Sequence, residues 1–260
     1  MKRYGWIIGG AVLLVLTAMT IFCFGNRKKE EQQSIPAFSP LIFSKDPESE
    51  NLADMLQESA SGVMVKIFAG NVSGSGVILK TDGEVLSVVT AAHVLEQTQG
   101  TVWVTFWDGW AVECSSYWKA AEADAAFIQV PVKEIPSEHL ERYLVANTDK
   151  KSFDGLQKGA GVIVMGSENG VAGNAYEGTL VDPWIYLEDF KQYMMLVNGT
   201  ATQGMSGGGV FDQNGHFIGI LCGGNEEGEL AVLPLSVIEA NLLGAKSAEL
   251  FPGMAVAIRK

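Results

Sequence analysis

The sequence predicts an all-β fold, a barrel or a sandwich, and three observations support this prediction. Ten short segments between residues 62 and 237 are rich in β-branched or aromatic residues and are bounded by Gly, Asp, Asn or Pro. Few helical patterns interrupt them, which argues against alternating α and β elements. The dipeptide Asn214-Gly215 is typical of a tight hairpin turn between two of them. The predicted strands are 62–70, 74–80, 84–92, 101–107, 125–130, 161–166, 193–199, 209–212, 216–221 and 230–237.

Before the strands lies an uncharged apolar run at 5–25, preceded by a stub at 1–4. Its 21 residues, at about 1.5 Å each, reach roughly 32 Å, enough to cross a membrane. A cleaved signal peptide is the alternative, but the run ends in "IFCFG", where a peptidase requires small residues. We therefore predict a transmembrane signal anchor, single-pass in the cell membrane. Basic residues flank both sides of the run, so charge does not decide its orientation. We expect the rest of the chain to lie outside the cytoplasm, because a short N-terminal stub is the easier end to retain.

The next segment, 26–50, mixes charge, proline and serine without lasting periodicity, which predicts a flexible tether. Residues 51–60 carry apolar residues on one face of a short helix. A second helix is expected around "SEHLERYL" in the polar segment 131–160. We predict one domain over 51–250 and a C-terminal tail at 251–260.

Charge excludes one class of partner. The chain has 18 basic and 30 acidic residues, and five of the basic ones but none of the acidic ones precede residue 30. The remainder thus carries thirteen basic against thirty acidic residues, a net charge of −17. Phosphate backbones repel such a surface, so nucleic-acid binding is not expected. Of the three cysteines, Cys23 lies in the apolar run, and we interpret Cys114 and Cys222 as buried free thiols, with a disulfide between them as the alternative.

Only one of the three histidines is a strong candidate for chemistry. His139 lies between charged residues and His216 follows the Asn-Gly turn, so both are interpreted as surface residues. His93 ends an apolar strand among small residues, where an imidazole can act as a base or can be a structural core residue. A catalytic base needs a carboxylate that fixes its tautomer. Asp124, which opens an apolar strand, is preferred over Asp108, since Asp-Gly between strands is ordinary turn chemistry.

A glycine-rich stretch surrounds Ser206 and completes a resemblance to trypsin-like serine proteases of the chymotrypsin fold. The order His, Asp, Ser is typical of that family, and its segments here are "TAAH" at 90–93, "ADAAFI" at 123–128 and "GMSGG" at 204–208. The HtrA/Deg branch is more similar still, through "GSGVIL" at 74–79, "VTFWDG" at 104–109 and "DQNGHFIGI" at 212–220. The resemblance covers roughly residues 50–240. It implies two six-stranded antiparallel β-barrels with a site in the cleft between them.

The resemblance also implies an activity, that of a serine endopeptidase that cleaves polypeptide without a cofactor or metal. In that scheme Ser206 attacks the scissile carbonyl, His93 takes its proton, and Asp124 orients His93. The backbone N–H groups of Gly204 and Ser206 are expected to form the oxyanion hole. The residues expected to bind substrate are Thr200, Gln203, Leu221, Cys222 and Gly223.

Three departures from the family pattern affect these expectations. Met205 stands where digestive proteases have an aspartate that receives a new N-terminal ammonium, which excludes that activation step. The HtrA branch usually has asparagine there and proline before the glycine, so Gln203 and Met205 bear on the loop's conformation. Thr200, six residues before Ser206, is not acidic, so we expect a small or medium apolar substrate side chain rather than Lys or Arg.

The 54 residues after Ser206 are expected to finish the barrel without the C-terminal PDZ domain usual in HtrA proteins. Two alternatives stay open. A pseudo-protease would keep the barrels as a peptide-binding or scaffold module without activity, and self-association into a homo-oligomer is compatible with the sequence.

Overall fold

A computed structural model describes residues 61–98, 100–168 and 171–250. Within these ranges, thirteen strands form two antiparallel β units, a seven-stranded sheet followed by a closed six-stranded barrel. The sheet strands are β1 (Met64–Ala69), β2 (Val72–Thr81), β3 (Val85–Thr90), β4 (Val102–Phe106), β5 (Ala111–Cys114), β6 (Tyr117–Lys119) and β7 (Ala126–Pro131). The barrel strands are β8 (Gly161–Glu168), β9 (Val171–Leu187), β10 (Gln192–Asn198), β11 (Gly209–Asp212), β12 (Phe217–Gly224) and β13 (Glu229–Pro234).

The sheet has the order β5-β4-β1-β2-β3-β7-β6, and this corrects the prediction of two closed six-stranded barrels. Only two residues join β5 to β6, and within the described ranges the sheet order runs from β5 to β6 without closing. The physical reason is that the chain turns away from β5 at once. The Ser116 carbonyl accepts the Gln129 N–H at 2.9 Å, and β6 pairs with β7. The first unit is therefore a half-barrel.

The barrel has the order β10-β13-β12-β11-β8-β9 and closes on itself. Its strands alternate between two cores, as period-two burial requires. Val162 and Val164 of β8 pack in a cluster with residues of the barrel strands, whereas Ile163 and Met165 join the larger core shared with the sheet. The predicted Asn-Gly hairpin is confirmed, since Gly215 joins β11 to β12 with φ +82°.

Strand β9 is the largest element that the sequence prediction missed. Its seventeen residues, "VAGNAYEGTLVDPWIYL", include two glycines and a proline and lack regular alternation. The strand is formed because β8 and β10 pair with it on both sides. The short strands β5 and β6 were missed as well.

Three α-helices complete the described chain: α1 (Ser137–Leu140), α2 (Lys150–Asp154) and α3 (Leu235–Leu250). The first lies in the predicted "SEHLERYL" segment. The third replaces the end of the predicted strand 230–237: Pro234, which has no N–H to donate to a neighbouring strand, is the last residue of β13, and the helix begins at Leu235.

Several predictions fall outside the described residues. The anchor at 5–25, the tether, the helix at 51–60 and the tail at 251–260 are among them. Across the ranges from 61 to 250 that the structure describes, no helix is both long and apolar enough to span a bilayer. Cys114 and Cys222 are free and buried, which confirms the interpretation as thiols.

Candidate active site

The pairing of β3 with β7 brings His93 and Asp124 together. Thr90, the last residue of β3, is opposite Ala126, the first residue of β7. His93 follows Thr90 by three residues in a 3₁₀ turn, and Asp124 precedes Ala126 by two. His93 Nδ1 lies 2.8 Å from Asp124 Oδ2, and the His93 N–H donates to Oδ1 at 3.0 Å. Both carboxylate oxygens are thus engaged by one residue, which fixes the ring.

This contact changes the titration of both groups. The hydrogen bond with Asp124 raises the pKa of His93 above its ordinary 6.5, against the opposing effect of burial. Burial would raise the pKa of Asp124, but the hydrogen bonds and the charge of His93 outweigh it and lower that pKa overall. Asp124 is therefore ionised at neutral pH and favours the proton-carrying form of His93.

Ser206 is held against strand β2, next to the turn that carries His93. The Ser75 N–H donates to the Ser206 carbonyl at 2.7 Å. A β-carbon built on Gly74 would lie 2.6 Å from a Val94 methyl and 3.0 Å from the same carbonyl. Gly207, with φ +82°, leaves no room for a side chain against the Thr90 hydroxyl. Missing side chains at these two glycines let the serine loop and the histidine turn approach each other closely.

The backbone of the serine loop leaves two amides available. Gly204 has φ +96°, a conformation that favours glycine, and its carbonyl accepts the Ser75 hydroxyl at 2.8 Å. Three N–H groups of the loop donate to protein carbonyls, those of Met205, Gly207 and Gly208. By contrast, the N–H groups of Gly204 and Ser206 have no acceptor within the described part of the chain. Two neighbouring unpaired amides can bind a developing oxyanion.

The Met205 departure has a local explanation. Met205 is fully buried, and its Sδ accepts the Thr202 N–H at 3.3 Å while its own N–H donates to the Thr202 carbonyl at 3.1 Å. The thioether therefore closes the loop internally. Gly166 gives it space, since a β-carbon there would lie 2.8 Å from Met205 Cα.

A cavity of about 440 Å³ opens beside Ser206. Four of the five residues expected to bind substrate line it, namely Thr200, Gln203, Leu221 and Gly223. The fifth, Cys222, does not line it, because its buried thiol donates instead to the Asp124 carbonyl at 3.5 Å. The remaining lining residues are Gly199, Ala201, Thr202, Gly224, Asn225, Glu226, Gly228 and Leu230.

Comparison with known families decides the relationship. The family model of the trypsin-like peptidase domain matches residues 74–220, more than half of the chain. The chain belongs to the trypsin-like peptidase family. It is a serine endopeptidase by that membership, and its folded core is a chymotrypsin-like fold with one closed barrel and one half-barrel.

Solved structures of similar fold include proteases of the HtrA type. The active form of the Rv3671c protease from M. tuberculosis is similar with a TM-score of 0.61 and 21% identity, over 81% of this chain and 89% of that one. The HtrA-type protease AlgW with tripeptide has a TM-score of 0.61 at 17% identity, over 75% of this chain. The serine endoprotease from Yersinia pestis has a TM-score of 0.58 at 17% identity, over 74% of this chain. The peptidase spans 62% and 65% of the last two chains. At these identities, the likeness shows the fold.

A comparison with curated protein sequences found no significant match. In the part of the peptidase that the structure describes, no group of three or more His, Cys, Asp or Glu side chains is arranged to hold a metal ion.

The other two histidines correct the prediction that they are surface residues. His139 Nδ1 lies 2.8 Å from Asp108 Oδ2, and His216 Nδ1 lies 2.8 Å from Asp212 Oδ2. Their side chains are only 25% and 13% exposed. The partner of His139 is 31 residues away in sequence, so flanking residues gave no signal for it. The partner of His216, four residues before it across the Asn-Gly turn, was in principle recognisable.

Asp108 also differs from the expectation of an ordinary turn residue. Its Oδ1 accepts the Tyr143 hydroxyl at 2.8 Å, and Arg142 lies 3.6 Å from Oδ2. Although the turn at Gly109 is present, with φ +88°, the carboxylate is buried in a polar cluster that joins this turn to the segment after α1.

Proposed function

We propose that the peptidase hydrolyses peptide bonds through a triad of His93, Asp124 and Ser206, as a membrane-anchored enzyme outside the cytoplasm. The observation that carries the proposal is the His93–Asp124 hydrogen bond of 2.8 Å, adjacent to a serine loop with two unpaired amides. Few structural roles require a paired imidazole, a nearby hydroxyl and free N–H groups at one place.

The reaction proceeds in two halves. Ser206 Oγ attacks the scissile carbonyl carbon as His93 Nε2 accepts the hydroxyl proton, and the resulting imidazolium is stabilised by Asp124. The oxyanion accepts hydrogen bonds from the N–H groups of Gly204 and Ser206. His93 then gives its proton to the leaving amine as the C–N bond breaks, which leaves an acyl-enzyme. Water, deprotonated by His93, then attacks the acyl carbon, and the ester C–O bond breaks as His93 returns the proton to Ser206 Oγ, which releases the carboxylic acid product.

The cavity beside Ser206 accepts the substrate side chain that precedes the scissile bond. Glycine, alanine and threonine residues dominate its wall, so a small or medium apolar side chain fits. Glu226 is exposed and supplies a carboxylate at the lining, so a cleavage survey also tests whether basic side chains enter. The polypeptide must be unfolded or flexible to lie extended in this cleft.

The membrane part of the proposal rests on sequence alone. Residues 5–25 contain no charge and are long enough to span a bilayer, and a short N-terminal stub is the easier end to retain in the cytoplasm. In intact cells, an external protease should therefore remove the domain from the full-length protein. Protection of the domain until the cells are lysed would contradict this placement.

A second candidate, a binding module without activity, is favoured by one observation. Among the described residues, no hydrogen bond joins Ser206 Oγ to His93 Nε2. Such bonds are often long without substrate and tighten when substrate binds, so the observation does not decide against catalysis.

A cleavage survey separates the two candidates. The full-length protein in detergent is incubated with a mixture of unstructured peptides, and the new termini are identified by mass spectrometry, with Ser206→Ala as the matched control. We expect cuts that the control lacks, mostly after small or medium apolar residues. Binding of the peptides without any cut would instead support the binding module.

A further inference from the structure

An exposed aromatic cluster lies on the hairpin formed by β9 and β10. Its members, Trp184, Tyr186 and Tyr193, are 49%, 44% and 49% exposed. We call these three residues the aromatic surface. Exposed apolar area of this kind is costly in water and often marks an interaction site.

The three rings form one continuous surface rather than three separate contacts. Tyr186 and Tyr193 are direct cross-strand partners, with ring centroids 5.4 Å apart in an edge-on arrangement. Trp184 stacks on Tyr193 at 5.4 Å, with the ring planes only 8° apart. Because the rings contact each other, they offer a pre-ordered apolar surface with little conformational entropy left to lose on binding.

The same hairpin touches the cavity beside Ser206. Phe190, in the turn between β9 and β10, packs against Gly223, where a β-carbon would lie 3.1 Å from the Phe190 Cζ atom. Gly223 lines the cavity. Tyr193 follows Phe190 by three residues, so their Cα atoms are at most about 11 Å apart. The distance from the cavity to the aromatic surface can therefore be spanned by a few residues of an extended peptide.

We propose that the aromatic surface is a second binding surface for the polypeptide substrate, taking aromatic, prolyl or aliphatic side chains of the segment that extends beyond the cavity. This inference rests on the proposed function. An extended chain advances about 3.3 Å per residue, so four to six residues are enough to reach from the cavity to the aromatic surface. Short peptides that fill only the cavity do not use it.

Charge around the hairpin argues for this occupant over others. Glu188 and Asp189, both exposed, lie in the turn before Phe190 and the exposed Lys191 follows it, so the turn has a net charge of −1. Carboxylates at this position repel anionic lipid headgroups and acidic partners, whereas they tolerate a neutral or basic polypeptide. A second copy of this chain, itself strongly acidic, is likewise disfavoured.

The test compares two variants on two substrates. Trp184→Thr combined with Tyr193→Thr removes most of the aromatic surface and keeps residues suited to a strand. Trp103→Thr, on β4 of the sheet, removes a ring of similar exposure, 45%, and is the matched control. Both are assayed on a tetrapeptide substrate and on a long unfolded polypeptide that carries aromatic residues before the scissile bond.

We expect the double variant to raise KM for the long substrate about tenfold, with kcat/KM for the tetrapeptide unchanged. Trp103→Thr should alter neither. Equal losses on both substrates, or no loss on the long one, would overturn the proposal. A change of sedimentation from dimer to monomer in the double variant would overturn it in favour of a second copy.

A binding measurement separates this inference from the proposed function. In the Ser206→Ala background, the fluorescence anisotropy of the labelled long polypeptide reports its Kd without cleavage. The double variant should again weaken binding about tenfold. If the wild type cuts nothing but this difference persists, the hydrolytic function fails while the aromatic surface stands.

Discussion

The His93–Asp124 and His139–Asp108 pairs make the same contact, 2.8 Å from Nδ1 to Oδ2, in very different surroundings. Around His139, the contact is one of several. Asp108 also accepts the Tyr143 hydroxyl, and the Trp110 ring lies 4.8 Å from the imidazole. Around His93, by contrast, both carboxylate oxygens serve His93 itself, and the neighbouring segment is the serine loop.

The difference shows that a histidine–aspartate hydrogen bond does not by itself identify a catalytic base. The Asp108 cluster uses its histidine to satisfy a buried carboxylate, which favours stability. The Asp124 pair lies instead in a turn that packs against the serine loop, where the proposed triad requires it. Substitutions at matched positions of the two pairs should therefore separate activity from stability.

The largest expected effect is that of His93→Ala. Loss of the base should lower kcat by about 10⁴–10⁶-fold, with a smaller loss of stability than in the His139 variant, because Asp124 keeps the bond from the N–H of residue 93 and its side chain is 17% exposed against 3% for Asp108. The matched variant His139→Ala should keep kcat/KM within about twofold but lower the free energy of unfolding by about 1–3 kcal/mol, because Asp108 loses a buried partner. Steady-state kinetics and urea unfolding check both variants. A large loss of kcat in the His139 variant, measured without urea where the variant is folded, would contradict the assignment of different roles to the two pairs.

The next effect is that of Asp124→Asn, which should lower kcat by about 10⁴-fold because the amide no longer holds the proton-accepting tautomer of His93. The control is Asp108→Asn, which should leave kcat nearly unchanged and lower the melting temperature. Equal kinetic losses in both variants would mean that the two pairs do not differ in role.

A smaller effect concerns pH. The hydrogen bond with Asp124 raises the pKa of His93, so kcat/KM should fall as pH drops through a value above the ordinary 6.5, where the imidazole becomes protonated. In the residual activity of Asp124→Asn, the midpoint should move to lower pH. A pH–rate profile that is flat from about 5 to 8 in the wild type would exclude His93 as the base.

At the Asp108 cluster, acid should change the free energy of unfolding rather than the rate of catalysis. Burial would raise the pKa of Asp108, but the hydrogen bonds from His139, Tyr143 and Trp110 lower it overall. A carboxylate whose folded pKa is lowered stabilises the protein above its unfolded pKa, and this contribution disappears as pH falls through the folded value. The difference in unfolding free energy between wild type and Asp108→Asn should thus shrink below about pH 4. A constant difference down to pH 2, measured by urea unfolding, would contradict this.

The smallest expected effect is that of thiol reagents. Burial, and next the charge of Glu113, raise the pKa of Cys114 to about 12, and burial raises the pKa of Cys222 as well. Iodoacetamide should therefore leave the activity of the folded peptidase unchanged, although Cys222 touches Asp124. Rapid inactivation, with alkylated Cys222 found by mass spectrometry, would show that this thiol is accessible.

Much of the fold was predictable because the signals are local. Apolar strands bounded by Gly or Asn, and the hairpin at Gly215, are encoded within a few residues. Strand β9 is different, since its sequence carries no alternation and its conformation depends on pairing with β8 and β10. The sheet stays open because β6 pairs with β7, and the pattern of apolar residues along a strand does not indicate which strand will be its partner.

In the candidate site too, some features could be predicted from local sequence and others could not. His93 and Asp124 were recognisable because each adjoins an apolar strand, and the register of those strands brings them together. The thiol of Cys222 on the Asp124 carbonyl, the sulfur contact of Met205 and the Asp108 cluster were not, because each joins residues through side-chain contacts that no short pattern specifies.

Labelling with a fluorophosphonate tests the central claim most directly, because the reagent reacts with a serine only when an adjacent base has activated it. The full-length protein is treated, digested and analysed by mass spectrometry, with His93→Ala and His139→Ala as matched controls. We expect one adduct on Ser206 in the wild type and in His139→Ala, and none in His93→Ala. An unlabelled Ser206 in the folded wild type, or labelling that does not depend on His93, would contradict the proposed triad.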